Sequence, residues 1–258
     1  MTGDRTSLDG KVVIVTGGAR GQGAAEVRLL RARGATVVAA DVLDEPGKVL
    51  ADELGEGVTY AHLDVTDADA WADLVAATVA AHGGIHGLVN NAGIWAMSFI
   101  EDETIEQFDR IHGVNLRGPF LGMRAVIKPM RASGGGSIVN VASTAGLRGL
   151  IGHGSYGSSK WGLRGLGQVA AAELGASDIR VNTVFPGLID TPMVEITEER
   201  RGRLGHLPIS RPGEPAEVAE LVAFLLSDAS SFVTGAEIAV DGGSVVGIPA
   251  SRNMPLPG

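Results

Sequence analysis

A chain of 258 residues, 45% hydrophobic and with 38 glycines, is long enough for one large α/β domain with a sizeable core. Its formal net charge of -9 argues against nucleic acid or an anionic membrane as a partner. With no cysteine, disulfides, thiolate metal sites and cysteine nucleophiles are excluded; with no apolar run near the ~18 residues of a membrane span and a short polar N-terminus, Met1 to Asp9, a cytoplasmic protein is expected.

Lys11 to Thr16 is a short β-branched run, read as a buried strand. Gly17-Gly18-Ala19-Arg20-Gly21-Gln22-Gly23 follows at once, and Ala24 to Arg33 has helical composition and stops at Gly34. Strand, glycine loop and helix are the setting in which a helix N-terminus offers free N–H groups to a pyrophosphate. The spacing is T-G-x-x-x-G-x-G rather than G-x-G-x-x-G, and a glycine-rich turn without a ligand is the other reading. Ala35 to Ala40 is a second strand ending at Asp41, about ~20 positions past the glycines, where an acidic residue reads the adenosine ribose. Gly47 to Leu54 reads as a helix, Val58 to Leu63 as a third strand followed by Asp64, and Asp67 to His82 as a helix with Asp67 as N-cap. His86 to Asn91 is a fourth strand running into Ala92-Gly93. Strands alternating with helices predict a single-domain, Rossmann-like, doubly wound parallel sheet of about ~7 strands with helices on both faces. Ligands then bind beyond the carboxyl ends of the strands, where Asp41, Asp64 and Asn90 sit.

Thr104 to Gln107 has the form of a capping box, and the helix it opens is expected to run to about Arg131. Asn115 lies inside that helix. Pro119, four residues on, has no N–H, so the Asn115 carbonyl loses its helical partner and is free to hold a water. Ser137 to Val141 is a fifth strand and delivers Ser143 at its end. Ser155 to Gly175 is a helix carrying Tyr156 and Lys160, whose spacing places both side chains on one face. An ammonium beside a phenol makes the tyrosinate cheaper, so the pair can pass a proton to or from an alcohol near neutral pH; an exposed tyrosine and lysine is the plainer reading. Ile179 to Val184 is a sixth strand ended by Pro186-Gly187, and Glu237 to Val240 is the last, after an amphipathic helix from Glu214 to Leu226. Residues 190–213, with the charged run Glu198-Glu199-Arg200-Arg201, read either as a substrate lid or as a solvated surface helix, and residues 244–258 as a coiled tail.

With these residues in place, the chain resembles the short-chain dehydrogenase/reductase family over essentially its whole length. The resemblance is carried by Thr16-Gly17-…-Gly21-x-Gly23, Asn90-Asn91-Ala92-Gly93, Asn115, Ser143, Tyr156-x-x-x-Lys160 and Pro186-Gly187. It implies a hydride-transferring enzyme in which Tyr156 is the general acid or base, and Lys160 lowers its pKa and holds the nicotinamide ribose. Ser143 would orient the substrate oxygen, and Asn115 would position a water leading to Lys160. It further implies cofactor contacts from Gly17, Arg20, Gln22, Gly23, Asp41, Val42, Asp64, Val65, Asn90, Gly93, Pro186, Gly187, Ile189 and Thr191. No metal is required, and no His/Asp/Glu cluster has metal spacing. Within the family, Ala40-Asp41-Val42-Leu43-Asp44-Glu45, His62-Leu63-Asp64-Val65-Thr66, Ser155-Tyr156-Gly157-x-Ser159-Lys160-Trp161-Gly162 and Thr234-Gly235-Ala236-Glu237 look like bacterial 3α,20β-hydroxysteroid dehydrogenases.

That likeness points to a secondary alcohol or ketone on a steroid or similar bulky hydrophobic ring, in an apolar pocket near Trp95, Leu150, His153, Phe185 and Met193. A carrier-protein-dependent 3-oxoacyl reductase and a non-catalytic dinucleotide-binding regulator are the rival readings. Arg20 occupies a position where NADP enzymes of the family often carry a basic residue. Asp41 would repel a 2′-phosphate and accept hydrogen bonds from a free ribose, and it decides for NAD. The family also implies a homotetramer.

Overall fold

The structure, a computed structural model, describes residues 4–194, 196–197, 204 and 207–246. Short β-branched and small-residue runs form seven strands: β1 Val12–Thr16, β2 Thr36–Asp41, β3 Val58–His62, β4 Gly87–Asn90, β5 Gly136–Val141, β6 Ile179–Pro186 and β7 Glu237–Val240. All pair in parallel, in the order β3-β2-β1-β4-β5-β6-β7. The helices are α1 Gly21–Ala32, α2 Asp44–Leu54, α3 Ala68–His82, α4 Ile105–His112, α5 Gly118–Ala132, α6 Gly154–Leu174 and α7 Pro215–Leu226. One apolar layer joins β1, β2 and α1 to α7 through Val13, Val15, Val27, Leu30 and Val222. The layer on the opposite face packs Ile14, Trp71, Leu88, Val126 and Leu174. Because β1 is flanked by β2 on one side and β4 on the other, the chain order reverses between β1 and β4, and a crevice opens at their carboxyl ends.

Asp67 caps α3 as its sequence predicts, accepting the N–H groups of Asp69 and Ala70 at 2.8 and 3.1 Å. Two expectations fail in instructive ways. The box at Thr104 is half formed: its hydroxyl accepts Gln107 N–H at 3.1 Å, but the Gln107 amide turns to Glu103 Oε1 at 2.7 Å. The single long helix expected to Arg131 is instead α4, a π-helical turn at Gly113–Arg117, and α5. Pro119 explains the break, since it cannot serve the Asn115 carbonyl and the chain widens there by one residue. The charged run at 198–201 and nearly all of the tail lie outside the described residues.

Candidate active site

The reversal crevice opens into a cleft of about 700 Å³. Its floor is the glycine turn. The helix α1 begins there with no side-chain cap, so its first N–H groups are offered to whatever fills the cleft. Gly17 takes a positive φ of 64°, and a Cβ on it would lie 2.9 Å from Ala92 Cα. The turn is clamped to β4 from two directions. The hydroxyl of Thr16 accepts the N–H groups of Asn91 and Ala92 at 3.1 and 3.0 Å, and the Asn91 amide donates to the carbonyls of Thr16 and Gly17 at 3.0 and 3.2 Å. Asp41, at the end of β2, is buried beside the turn, accepting Ala19 N–H on one carboxylate oxygen at 3.0 Å and Leu43 N–H on the other at 3.1 Å. Its carboxylate is therefore fixed in direction, on the lining of the cleft. Uncapped helix N-terminus, close glycine approach and a fixed acid suit a dinucleotide's pyrophosphate and ribose.

On the other wall, β5 ends in Ser143, which starts a short 3₁₀ turn and accepts Ala145 N–H at 3.2 Å. The Ser143 hydroxyl lies beside Tyr156 and favours the ionised phenol. One helical turn along α6, Lys160 is buried and donates to the Val141 carbonyl at 2.9 Å, with Nζ 5.8 Å from the centre of the Tyr156 ring. The expectation that Lys160 lowers the tyrosine pKa is not how these groups stand in this structure. Burial raises Tyr156, the neighbouring Ser143 hydroxyl opposes that rise, and burial lowers Lys160 to about 8. Lys160 is buried and Tyr156 partly so, which disfavours the charged form of each, and the lysine ammonium is held to a carbonyl rather than to the phenol.

Asn115 sits in the π-helical turn and is fully buried. Its side chain accepts Ile94 N–H and donates to the Ile94 carbonyl, both at 2.9 Å, and donates to Ser159 Oγ at 3.2 Å. It thus ties the loop after β4 to the helix of Tyr156 and Lys160. It lies behind the cleft wall rather than on it.

Most residues expected at the cofactor line this cleft: Gly17, Arg20, Gln22, Gly23, Asp41, Val42, Asp64, Val65, Gly93, Tyr156, Lys160, Pro186, Gly187, Ile189 and Thr191. Asn90 does not; its amide is buried and donates to Asn140 at 2.9 Å. Of the expected substrate residues, Met193 lines the cleft. Phe185 corrects the expectation: it is fully buried, packed with Ala142 and Leu163. Every residue of β6 but Arg180 is buried, so both faces of the strand are covered and apolar pattern cannot tell which way Phe185 points. Leu150 and His153 line a neighbouring groove with Ile151 and Trp161. His153 is within 6.0 Å of the Tyr156 ring and 5.9 Å of Trp95, centre to centre, so it stands between the two, and neither His153 nor Trp95 is on the cleft lining.

A family profile described as enoyl-(acyl carrier protein) reductase matches residues 17–245. A 3-alpha-(or 20-beta)-hydroxysteroid dehydrogenase of Mycobacterium bovis is 49% identical, over 93% of this chain and 92% of its own. The chain belongs to the short-chain dehydrogenase/reductase family. Its relatives include a trans-4-hydroxycyclohexanecarboxylate dehydrogenase of Sinomonas cyclohexanicum, 42% identical over 92% of this chain and 93% of that one. The crystal structure of levodione reductase superposes with a TM-score of 0.87 at 37% identity, covering 91% of this chain and 97% of that one. The protein is accordingly an oxidoreductase of a family that binds a nicotinamide dinucleotide, and its fold is the family's.

Two groups of this dehydrogenase escaped sequence reading. Glu103, ahead of α4, accepts the Ser155 hydroxyl at 2.9 Å and the Ser155 N–H at 3.3 Å, and so caps α6 from another element. Glu26 sits fully buried in α1, beneath Gln22. Glu103 carries no local signal because its partner lies 52 residues away. Glu26 does carry one: a glutamate on the apolar face of a helix, among Gly23, Val27 and Leu30.

Proposed function

We propose that this enzyme transfers a hydride between NAD(H) and a secondary alcohol or ketone on a hydroxysteroid or similar bulky hydrophobic ring, as a cytoplasmic homotetramer. The observation that carries the reading is that Ser143, Tyr156 and the buried Lys160 one turn on line the same cleft as the α1 N-terminus. When bound, the dinucleotide supplies or accepts the hydride. Tyr156 donates its phenolic proton to the oxygen of a ketone, or takes the proton of an alcohol. The Ser143 hydroxyl donates a hydrogen bond to that oxygen as it gains charge. Lys160, the least costly of these groups to ionise or neutralise near pH 8, is placed to hold ribose hydroxyls and to balance charge on the phenol. Asn115 braces Ile94 and Ser159, and its carbonyl in the π-helical turn is the place for a water leading to Lys160.

NAD is favoured over NADP because Asp41 has no room to retreat: both its oxygens are tied to backbone N–H groups beside the turn. Arg20, exposed on the same rim, can meet phosphate oxygens but cannot remove that fixed charge. Relatives named for hydroxysteroid and hydroxycyclohexanecarboxylate substrates support a ring alcohol. Residues 190–213 are the proposed cover of the substrate end, of which Thr191 and Met193 line the cleft. The test is NADH absorbance at steady state against steroids, cyclic ketones and acyl thioesters. Turnover of hydrophobic ring ketones is expected, and turnover of acyl thioesters alone would make this a carrier-type reductase instead. With the accepted substrate, kcat/KM is expected to favour NADH over NADPH by about ~10²-fold, with Asp41→Ala narrowing the gap. A preference of the wild type for NADPH would overturn the cofactor assignment.

A further inference from the structure

Behind the glycine turn runs a chain of side-chain hydrogen bonds that the catalytic scheme does not use. The Gln22 amide nitrogen donates to Glu26 Oε1 at 3.1 Å and to Asn91 Oδ1 at 3.1 Å. Asn91 spends its own two N–H groups on the carbonyls of Thr16 and Gly17. Gln22, Asn91 and Gly17 all line the dinucleotide cleft. At the far end, Glu26 is fully buried, and its second oxygen, Oε2, has no hydrogen-bond partner.

We infer that Glu26 is a positioning residue of the dinucleotide site, which sets the glycine-rich turn through Gln22 and Asn91 and weakens dinucleotide binding when it ionises. The inference rests on the dinucleotide reading of the cleft. The polarity of the chain is fixed from its Asn91 end, since Asn91 must present Oδ1 to Gln22 once both its N–H groups are committed. Gln22 must then face Glu26 with an N–H, and Glu26 Oε1 must accept. Only Oε2 is left to carry a proton, and it has no partner if that proton is lost.

Among the described residues no side-chain cation compensates the charge, and the α1 N-terminus offers only its partial positive charge. On the helices packed against α1, Glu53 is taken by Arg28, Glu220 by Arg33, Glu217 by Arg211, Glu45 by Lys48, and Asp44 by Tyr60 and His62. Asp52 on α2 and Glu214, the N-cap of α7, are acidic and would repel rather than relieve it. On the strands, Asp41 is tied to Ala19 and Leu43, and Lys11 pairs with Asp228. Arg31 of α1 lies against Gly57. Burial accordingly raises the Glu26 carboxyl from 4.5 to about 8, with the Gln22 bond only partly opposing it. Ionisation has two consequences for the cleft. It places a negative charge ~6 Å along the helix from N–H groups that serve a pyrophosphate, which partly cancels the positive end of the helix dipole that the pyrophosphate would meet. It also draws the carboxylate toward water and disturbs Gln22. The turn has no slack to absorb that: a Cβ on Gly23 would overlap the Gly17 carbonyl and lie 2.6 Å from Asn91 Nδ2.

The experiment is calorimetric binding of ADP-ribose from pH 6.5 to 9.5 by wild type, Glu26→Gln and Gln22→Leu. Taking the ratio of wild-type to Glu26→Gln dissociation constants cancels the titration of Tyr156, Lys160 and the ligand. That ratio is expected to rise about tenfold across the range, the neutral amide binding better than wild type at pH 9.5. A merely structural glutamate would make Glu26→Gln weaker at every pH, and a flat ratio overturns the inference. Gln22→Leu, which cuts the chain with Glu26 in place, is expected to weaken binding about threefold or more at pH 6.5; unchanged affinity would overturn the relay even if Glu26→Gln did not fold. A wild type that bound no ADP-ribose at any pH would sink the dinucleotide reading along with it.

Discussion

Burial shifts the protonation of three side chains, Tyr156 and Lys160 in the cleft and Glu26 behind it. Partial burial raises the Tyr156 pKa, so its phenol stays protonated until a substrate oxygen takes the proton. Tyr156→Phe keeps the ring against His153 and removes only the hydroxyl; kcat is expected to fall ~10²–10⁴-fold with dinucleotide affinity nearly unchanged, as stopped-flow and fluorescence titration would show. Retention of more than about a tenth of kcat would refute its role. Glu26 and Lys160 make opposite contributions to stability. The folded glutamate keeps its proton up to about pH 8 while the unfolded one loses it near 4.5, so its contribution is complete below pH 4.5 and is lost as pH rises through 8. Each pH unit in that window costs ~1.4 kcal/mol, a few kcal/mol in all. Lys160, lowered from 10.5 to about 8, works the other way: the unfolded chain holds its proton longer, so stability rises between pH 8 and 10.5. Urea unfolding of the wild type should therefore show a shallow minimum near pH 8, and Glu26→Gln should remove the fall on its acid side. A Glu26→Gln profile parallel to wild type between pH 5 and 8 would contradict this.

At the scale of elements, the parts readable from sequence are those held by local rules. The strands were visible as short apolar runs alternating with helices, and the turn at Gly17–Gly23, Tyr156 with Lys160, and the Asp67 cap all depend on short spacings. What stayed hidden depends on partners far along the chain. The Glu103 cap on α6 and the Asn90–Asn140 pair are of this kind, as is Phe185, whose strand is covered on both faces. The π-helical turn lies between the two cases. Pro119 flagged a disturbed helix, but only the Asn115 bonds to Ile94 and Ser159 show what it achieves: it turns a buried amide to tie three elements. Asn115→Ala would leave the Ile94 N–H and carbonyl without these partners and is expected to cost ~2–3 kcal/mol in chemical denaturation, with a kcat loss of tenfold or more as α6 loosens. A cost under ~0.5 kcal/mol would mean that the turn does not brace the site.

For the molecule as a whole, the apolar surface is unevenly placed. Phe108 and Phe120 stand about half exposed on α4 and α5, and Trp161 and Val169 are similarly exposed on α6, which packs beside α4. At the other side of the sheet, β7 pairs among the described residues only with β6, and Phe232 just before it is fully exposed. A long apolar face and an unpaired edge are liabilities in an isolated chain. Two separate patches permit two different two-fold contacts, and two perpendicular two-folds close into a tetramer with D₂ symmetry. Multi-angle light scattering is therefore expected to give roughly four times the 26.5 kDa single-chain mass at micromolar concentration. Phe120→Lys, set in the helical face, should reduce the particle to a dimer joined through the β7 side, and Phe232→Lys to a dimer joined through the helices. A 26.5 kDa particle for the wild type would refute the assembly, and a tetramer surviving both substitutions would refute these two patches as its contacts.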